Sequence, residues 1–320
     1  MQKNISEDLT IIIRTVGERT TAACVNLIKS QGYDGSLIHQ VNISPFQAAL
    51  KECFRIGVRC DRKWTLCIDA DILSQRESIK SLIKVAEQTS DHVLEIQPLL
   101  CDRFFGGLRT AGVHLYRTSL LERALDLVPE AHENLRPENT VLQRMRKIGY
   151  PYVVTDNVFG LHDFEQSYRD IYRKCKLHGS KHTKFSSMLM SYWNESKHFD
   201  FRVAEQGLKY GIVSPDIVAT SSSVTLTETR KLPDEKPLLP ADKYSLSEIT
   251  EMVDNFEESQ PYRKQFMTGY RFIVWESLFS TLIYKFQVIS KKFGWFYAVI
   301  VLIDILIKLI LHKIRMVFKI

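Results

Sequence analysis

The chain has 320 residues, of which 45% are hydrophobic and 25% charged, so it can form one large or two modest domains with a full core. Its formal net charge of +6 is concentrated near the C-terminus, because residues 262–320 carry +8 and residues 1–261 therefore carry −2. Without a basic bias in the larger part of the chain, we exclude nucleic acid as a partner.

The N-terminus and the cysteines set the expected compartment. The first ten residues include Lys3, Glu7 and Asp8 and lack a long apolar run, so we predict no secretory signal and a cytosolic catalytic part. The six cysteines are scattered without a C-x-x-C pair. This spacing argues against both a zinc knuckle and a disulfide framework.

Strands and helices alternate along the chain. Apolar runs predict strands over residues 9–14, 36–41, 64–68, 92–97, 112–116 and 152–155. Periodic apolar positions predict helices over residues 20–31, 45–58, 74–89 and 119–127, one from Pro137, and one up to Lys176 that Asp163 and Gln166 begin as a capping box. This alternation predicts an α/β fold with a parallel sheet.

The third predicted strand ends in two carboxylates, Asp69 and Asp71. Side chains alternate along a strand, so we expect both to point the same way and to share one hard divalent cation. The alternative is that Asp71 caps the next helix, which leaves Asp69 unexplained. Ionised carboxylates are seldom buried without a partner, so a metal site is the favoured interpretation.

The C-terminal region has a different composition from the rest. Residues 213–246 are rich in Ser, Thr and Pro and predict a linker. Apolar residues then recur at helical spacing beside cations in residues 272–289 and from Trp295 onward, which predicts two amphipathic helices on an anionic membrane surface. Packing on the globular domain or on a twin subunit is one alternative. A single spanning helix is another, disfavoured by Asp304 and Lys308.

Taken together, these motifs give the chain a family resemblance. The strand at residues 9–15, the strand end at residues 67–71 and a late His162 resemble the GT-A fold nucleotide-sugar glycosyltransferases, specifically the family 2-like inverting enzymes. The resemblance covers about residues 9–165. It implies a Rossmann-like, mostly parallel sheet flanked by helices in residues 1–212, followed by the linker and by a helical membrane-associating extension over residues 247–320.

The resemblance also implies how the donor is bound. Thr15 and Glu18, in the loop after the first strand, would contact the nucleoside of a nucleoside-diphosphate sugar. Lys51, with Arg55 on the same helix, would face the diphosphate, although exposed helix cations are common. The nucleotide base stays open.

Three residues would form the metal shell by the same resemblance. Asp71 would be the main ligand of Mn²⁺ or Mg²⁺, Asp69 would contact the ribose or the metal, and His162 would complete the shell. Oxygen ligands suit either ion. The alternative for His162 is a residue that only flanks the capping Asp163.

The resemblance places the catalytic base at Glu138, with Glu133 as the fallback. A carboxylate there would take a proton from the acceptor hydroxyl. The alternative is structural, because proline at the first helical position followed by an acidic residue stabilises any helix start.

The sequence therefore predicts a metal-dependent inverting glycosyltransferase at the cytosolic membrane face. It would move a sugar to a lipid-linked or surface-glycan acceptor, as a monomer or a homo-oligomer. One alternative is transfer to a polyprenyl phosphate, whose anionic oxygen needs no strong base. The other is a non-catalytic membrane-bound scaffold with a degenerate GT-A core.

Overall fold

A computed structural model describes residues 8–130, 136–181, 186–195, 198–213 and 235–258, together with single positions at 290, 295, 299 and 303. The predicted membrane helices, apart from such single positions, lie outside the described residues, as does Glu133. Within the described part of the chain, no helix combines the length and the apolar character needed to cross a membrane.

Eight strands and nine α-helices are found among the described residues. The strands are β1 (Leu9–Arg14), β2 (Ile38–Val41), β3 (Trp64–Asp69), β4 (Ile72–Ser74), β5 (Glu95–Asp102), β6 (Gly107–Arg109), β7 (Val113–Arg117) and β8 (Tyr152–His162). The helices are α1 (Thr21–Ser30), α2 (Phe46–Cys60), α3 (Ser78–Ala86), α4 (Leu121–Leu125), α5 (Pro137–Lys147), α6 (Tyr168–Lys181), α7 (Ser186–Glu195), α8 (Phe199–Val213) and α9 (Leu246–Glu258). The fold is α/β, as predicted.

The strands form one sheet in the order β2-β1-β3-β7-β5-β8-β4, with β6 paired to β5. Pairings β1–β2, β1–β3 and β5–β8 are parallel, whereas β7 runs antiparallel to both of its neighbours. The pairings β4–β8 and β5–β6 are antiparallel as well, so the sheet is mixed and not mostly parallel as predicted. Only residues 103–112 separate β5 from β7, which is shorter than the crossover that a parallel pair requires.

The two faces of the sheet are covered by different helices. Ile12 packs in a cluster with residues of α2, α5 and α9, whereas Ile11 and Ile13 pack in a second cluster with residues of α3. These three isoleucines are fully buried. Alternate side chains of β1 thus serve opposite faces, which explains why an uninterrupted isoleucine run forms this strand.

Helix α9 lies within the stretch predicted to form a membrane-associating tail. Its apolar side chains Ile249, Val253 and Phe256 are buried in the same cluster as Ile12. Residues 247–258 are therefore part of the packed α/β body. The division of the chain into domain, linker and tail otherwise stays a prediction.

The capping box predicted at Asp163 and Gln166 was wrong. Helix α6 begins at Tyr168, where the backbone N–H of Asp170 donates to Ser167 Oγ over 3.0 Å and Ser167 Oγ donates to the Asp170 carboxylate over 2.7 Å. The capping pair is thus shifted by four residues. This shift leaves Asp163 free of the helix end and available to the site described next.

Candidate functional site

Four acidic or imidazole side chains meet where strands of the sheet end. Asp102 and His162, the last residues of β5 and β8, are paired in register, and His162 is also paired with Ile72 of β4. Asp71 directly precedes Ile72, and Asp163 directly follows His162. Carboxyl ends of strands are where α/β proteins place ligands.

Gly160 makes this meeting possible. It is paired with Ser74 across the β4–β8 ladder, and a Cβ atom at residue 160 would lie 2.1 Å from the carbonyl oxygen of Leu73. Any other residue would push β4 away from β8. The close approach of the two strands is what carries Asp71 to His162.

His162 is held by a buried carboxylate. Its Nδ1–H donates to Asp102 Oδ2 over 2.7 Å, and Asp102, which is fully buried, also accepts from Arg109 Nε over 2.5 Å. Burial would raise the pKa of Asp102, but Arg109 and His162 hold it well below its usual range. Because Nδ1 faces Asp102, Nε2 faces Asp71, at 3.8 Å from Asp71 Oδ1. Such a carboxylate behind an imidazole is the usual support of a metal-binding histidine.

Asp71, His162 and Asp163, which we call the Asp71 group, are buried and offer three ligand atoms within 4.8 Å of one another. Asp71 Oδ1 is buried and accepts no hydrogen bond from any residue that the structure describes. The two carboxylates suit Mn²⁺ or Mg²⁺. The residues present therefore fit the predicted cation, with Asp163 in a place that the sequence assigned to a helix cap.

A lysine also contacts the Asp71 group. Lys174 of α6 places Nζ against Asp71 Oδ2 and at 2.5 Å from Asp163 Oδ1. Burial would raise the pKa of Asp71, but Lys174 and His162 lower it to about 2. Sequence reasoning missed both Asp163 and Lys174, because no local pattern links residue 174 to residue 71.

Asp69 faces a different partner from Asp71. Strand β3 ends at Asp69, and Asp71 lies in the turn before β4, so the expectation of two carboxylates on one continuous strand was wrong. Asp69 Oδ1 accepts from Arg14 Nε over 2.7 Å. Burial raises the pKa of Asp69 to about 6, since the attraction of Arg14 only partly offsets it and Asp71 adds repulsion. A role for Asp69 at the metal or the ribose stays a prediction.

Glu138 is enclosed by hydrogen-bond donors. Its Oε1 accepts from Arg14 Nη1 over 2.8 Å and from Tyr116 Oη over 2.6 Å, and its Oε2 lies 3.0 Å from His114 Nε2. His114 Nδ1 in turn contacts Glu95 Oε1 at 2.5 Å. We call these five residues and Asp69 the Glu138 network.

Within the Glu138 network, Glu138 and its cationic partners stabilise each other's charged forms. Burial would raise the pKa of Glu138, but Arg14 and His114 keep it well below its usual range. Burial would lower the pKa of His114, but Glu138 and Glu95 raise it to about 10. The imidazolium of His114 and the carboxylate of Glu138 therefore coexist at neutral pH. Glu138 as catalytic base stays a prediction, and this geometry makes it a weak acceptor of protons.

A cavity of about 610 Å³ opens at the ends of β1 and β2. Thr15 and Glu18, both predicted to contact the nucleoside, are among the residues that line it. Thr15 Oγ1 donates to Glu18 Oε2 over 2.8 Å, and the N–H of Val16 donates to the same oxygen over 2.8 Å. The loop after β1 is thus shaped by its own side chains. The other lining residues are Gly17, Arg19, Thr21, Ala22, Val25, Asn26, Lys29, Gln40, Asn42, Leu238, Leu239 and Ala241.

Residues 235–245, which we call the strap, form one wall of this cavity. The N–H of Leu239 donates to the carbonyl of Arg19 over 3.1 Å, and Arg19 Nε donates to the carbonyl of Pro237 over 2.8 Å. Leu239 is buried, whereas Leu238 is 79% exposed on the cavity wall. The strap lies in the region predicted as a linker, and its part in the cavity had no signal in the sequence.

The predicted diphosphate contacts lie elsewhere among the described residues. Lys51 Nζ pairs with Glu130 Oε1 at 2.8 Å, and Arg55 lies 3.7 Å from Glu52. Neither cation is among the described residues that line the cavity. Their contact with a diphosphate stays a prediction.

Comparison with known proteins gives distant likenesses only. No protein-family model matches the chain, and no curated protein matches it. A glycosyltransferase involved in the glycosylation of the major capsid of PBCV-1 is similar at 18% identity and a TM-score of 0.33, over 46% of this chain and 82% of that one. The mannosyltransferase PcManGT from Pyrobaculum calidifontis, in complex with GDP-Man and Mn²⁺, is similar at 10% identity and a TM-score of 0.36. This similarity covers 86% of this chain and 87% of that one. CMP:2-keto-3-deoxy-manno-octonic acid synthetase, in complex with CTP, is similar at 10% identity and a TM-score of 0.34. This similarity covers 48% of this chain and 92% of that one. At these values the family of the chain stays a prediction.

Proposed function

We propose that this protein is a metal-dependent inverting glycosyltransferase that uses a nucleoside-diphosphate sugar as donor. The observation that carries the proposal is the Asp71 group, where a buried carboxylate oxygen without a hydrogen-bond partner among the described residues faces an imidazole nitrogen 3.8 Å away. A cavity of about 610 Å³ opens at the same edge of the sheet. A cation site and a cavity at strand ends are the two parts that a nucleoside diphosphate requires.

The Asp71 group supplies the ligands. Asp71 and Asp163 would hold Mn²⁺ or Mg²⁺ with carboxylate oxygens, and His162 with Nε2, which Asp102 orients. When bound, the cation neutralises negative charge on the departing nucleoside diphosphate. The buried Asp102, which Arg109 holds in turn, keeps His162 in place, so the ligands need little rearrangement to receive the cation.

The cavity supplies contacts for the nucleoside. Asn26, Gln40 and Asn42 offer amide donors and acceptors, and Leu238 offers an apolar surface. Such a lining suits a flat heterocycle that has hydrogen-bonding groups on its edge. Thr15 and Glu18 lie in the same wall, which supports their predicted contact with the donor.

A specific observation favours a second candidate for the acceptor. A glycan or lipid-linked hydroxyl needs a base, and Glu138 accepts from Arg14 and Tyr116 with one oxygen and contacts His114 with the other. A polyprenyl phosphate needs no such base, because its attacking oxygen is already anionic. Transfer to a polyprenyl phosphate is therefore the alternative that fits the Glu138 network.

The charge of the C-terminal region supports a membrane setting for the reaction. Residues 262–320 carry +8, which favours an anionic membrane surface at the cytosolic face. We propose that these residues hold the enzyme at the membrane that carries its acceptor.

The first experiment measures nucleotide binding. Nucleoside diphosphates are titrated calorimetrically into the protein with and without Mn²⁺, alongside Asp71→Ala and a control, Asp91→Ala, whose carboxylate is fully exposed. We expect one nucleotide to bind in the presence of Mn²⁺, binding to be lost in Asp71→Ala, and the control to behave as wild type. Absence of binding to every nucleotide would contradict the proposal and favour the non-catalytic scaffold.

The second experiment separates the acceptors. Transfer to an alcohol and to a polyprenyl phosphate is compared in wild type and Glu138→Gln, with melting temperature as a check on folding, and the anomeric configuration of the product is read by NMR. A large loss of kcat for the alcohol, measured below the melting temperature of the variant, supports Glu138 as base and a hydroxyl acceptor. Retained transfer to the phosphate supports the alternative.

A further inference from the structure

Among the described residues, Lys174 is the cationic side chain that contacts both carboxylates of the Asp71 group. It belongs to α6, which lies outside the sheet. Its Nζ contacts Asp71 Oδ2 and Asp163 Oδ1, the latter at 2.5 Å. The two carboxylates are 5% and 6% exposed, whereas the lysine side chain is 25% exposed. The ammonium therefore reaches a buried pair of anions from the solvent side.

The lysine has a clear role when no other cation is present. Two buried carboxylates so close together repel each other, and burying them without a positive partner is strongly unfavourable. Lys174 supplies that partner through two contacts at once. The ammonium of Lys174 contacts only Oδ2 of Asp71, so Oδ1 still faces His162 Nε2 at 3.8 Å.

A divalent cation would need the same carboxylates. An ammonium in contact with Asp71 and Asp163 would lie within a few ångströms of any ion held by the Asp71 group, and the two positive charges repel each other. The flexible, partly exposed side chain of lysine can withdraw into solvent, whereas the buried carboxylates cannot follow.

We propose that Lys174 is a built-in competitor of the divalent cation. It neutralises Asp71 and Asp163 until the ion arrives, and it leaves them when the ion binds, so it sets the concentration at which the site fills. The inference rests on the cation site of the proposed function, but it is tested with the metal alone and does not require that any nucleotide bind.

The experiment measures Mn²⁺ affinity in the full chain by calorimetry and by the EPR signal of free Mn²⁺. The variants are Lys174→Met, Lys174→Gln and a control, Lys209→Met, whose lysine pairs with Glu205 on α8. We expect both Lys174 variants to bind Mn²⁺ about tenfold more tightly than wild type or more, and the control to match wild type. Adding Asp71→Ala to Lys174→Met is expected to abolish the tight binding.

Equal or weaker Mn²⁺ binding in Lys174→Gln overturns the inference, as does the absence of binding in every variant. Lys174→Gln keeps hydrogen-bond donors at the carboxylates, so it serves if Lys174→Met does not fold. Melting temperature gives a second readout, because Mn²⁺ should raise it more in Lys174→Gln than in wild type. The outcome is separate from that of the proposed function, since tighter Mn²⁺ binding with no nucleotide binding would support this inference and contradict the glycosyltransferase.

Discussion

The Glu138 network and the Asp71 group are both rich in carboxylates, but the carboxylate oxygens of Glu138 and Asp71 differ in how many partners they have. Glu138 has both oxygens engaged, by Arg14 and Tyr116 on one and His114 on the other. Asp71 has one oxygen against Lys174 and one that no described residue satisfies. The comparison teaches that, of these two carboxylates, Asp71 is the one with an oxygen left for a ligand.

The largest expected effect comes from breaking the Glu138 network. Arg14 is 5% exposed and pairs with both Asp69 and Glu138. Arg14→Met leaves two largely buried carboxylates without their shared cation, and we expect a loss of about 3–5 kcal/mol in the free energy of unfolding. Denaturant unfolding measures it. The control is Lys51→Met, whose exposed partner predicts a loss of about 1 kcal/mol or less. Similar losses in both variants would contradict a structural role for the network.

The second prediction concerns the Asp71 group, where the carboxylate of Asp102, which holds His162, can be neutralised. Asp102→Asn keeps the shape of the side chain but weakens its hold on Nδ1 of His162. We expect Mn²⁺ affinity to fall by about 10- to 100-fold, the usual effect of losing a partner behind a metal ligand. Calorimetry with Mn²⁺ measures the affinity, and circular dichroism checks the fold. An unchanged affinity would show that His162 is not a ligand.

The pH dependence of stability tests the charges of the Glu138 network. The pKa of His114 is raised from 6.5 to about 10 by Glu138 and Glu95, in spite of burial. The stability that this imidazolium contributes is therefore complete below pH 6.5 and is lost as the pH rises through about 10. We expect unfolding midpoints of wild type to fall between pH 7 and pH 10 by more than those of His114→Gln. Parallel curves would mean that His114 is neutral in the folded protein.

The smallest expected effect concerns the cavity. Leu238 is 79% exposed, so Leu238→Ser should leave stability unchanged. If the side chain becomes covered by a nucleoside, its loss should weaken nucleotide binding by about fivefold. Val213→Ser, which changes another exposed apolar side chain, is the matched control. Equal nucleotide affinities in the two variants would show that the strap is not part of the donor site.

The sequence was informative wherever the pattern was local. Apolar runs and helical periodicity located β1, β3 and the helices beside them, because each element is specified by neighbouring residues. The direction of β7 was not recovered, although the short stretch between β5 and β7 contained the reason. The sheet was predicted from the alternation of strands and helices, and the connection from β5 to β7, which contains no helix, breaks that alternation.

The site was harder to predict than the fold because it depends on strand register. Asp71 and His162 are 91 positions apart, and they meet because Ile72 is paired with His162 and because Gly160 lets β4 approach β8. The sequence predicted Asp71 and His162 as ligands by resemblance, and the structure brings them together. It did not predict Asp163 or Lys174, whose places follow from where α6 begins.

The strap ties the C-terminal half of the described chain to the first loop of the fold. Arg19 bonds to Pro237 and Leu239 on one side, and on the other to Glu165, which also accepts from Tyr244 over 2.6 Å. Directly after Tyr244 and Ser245, α9 is buried against the sheet. The position of this cavity wall therefore depends on one arginine, because Arg19 links the first loop both to the strap and to Glu165.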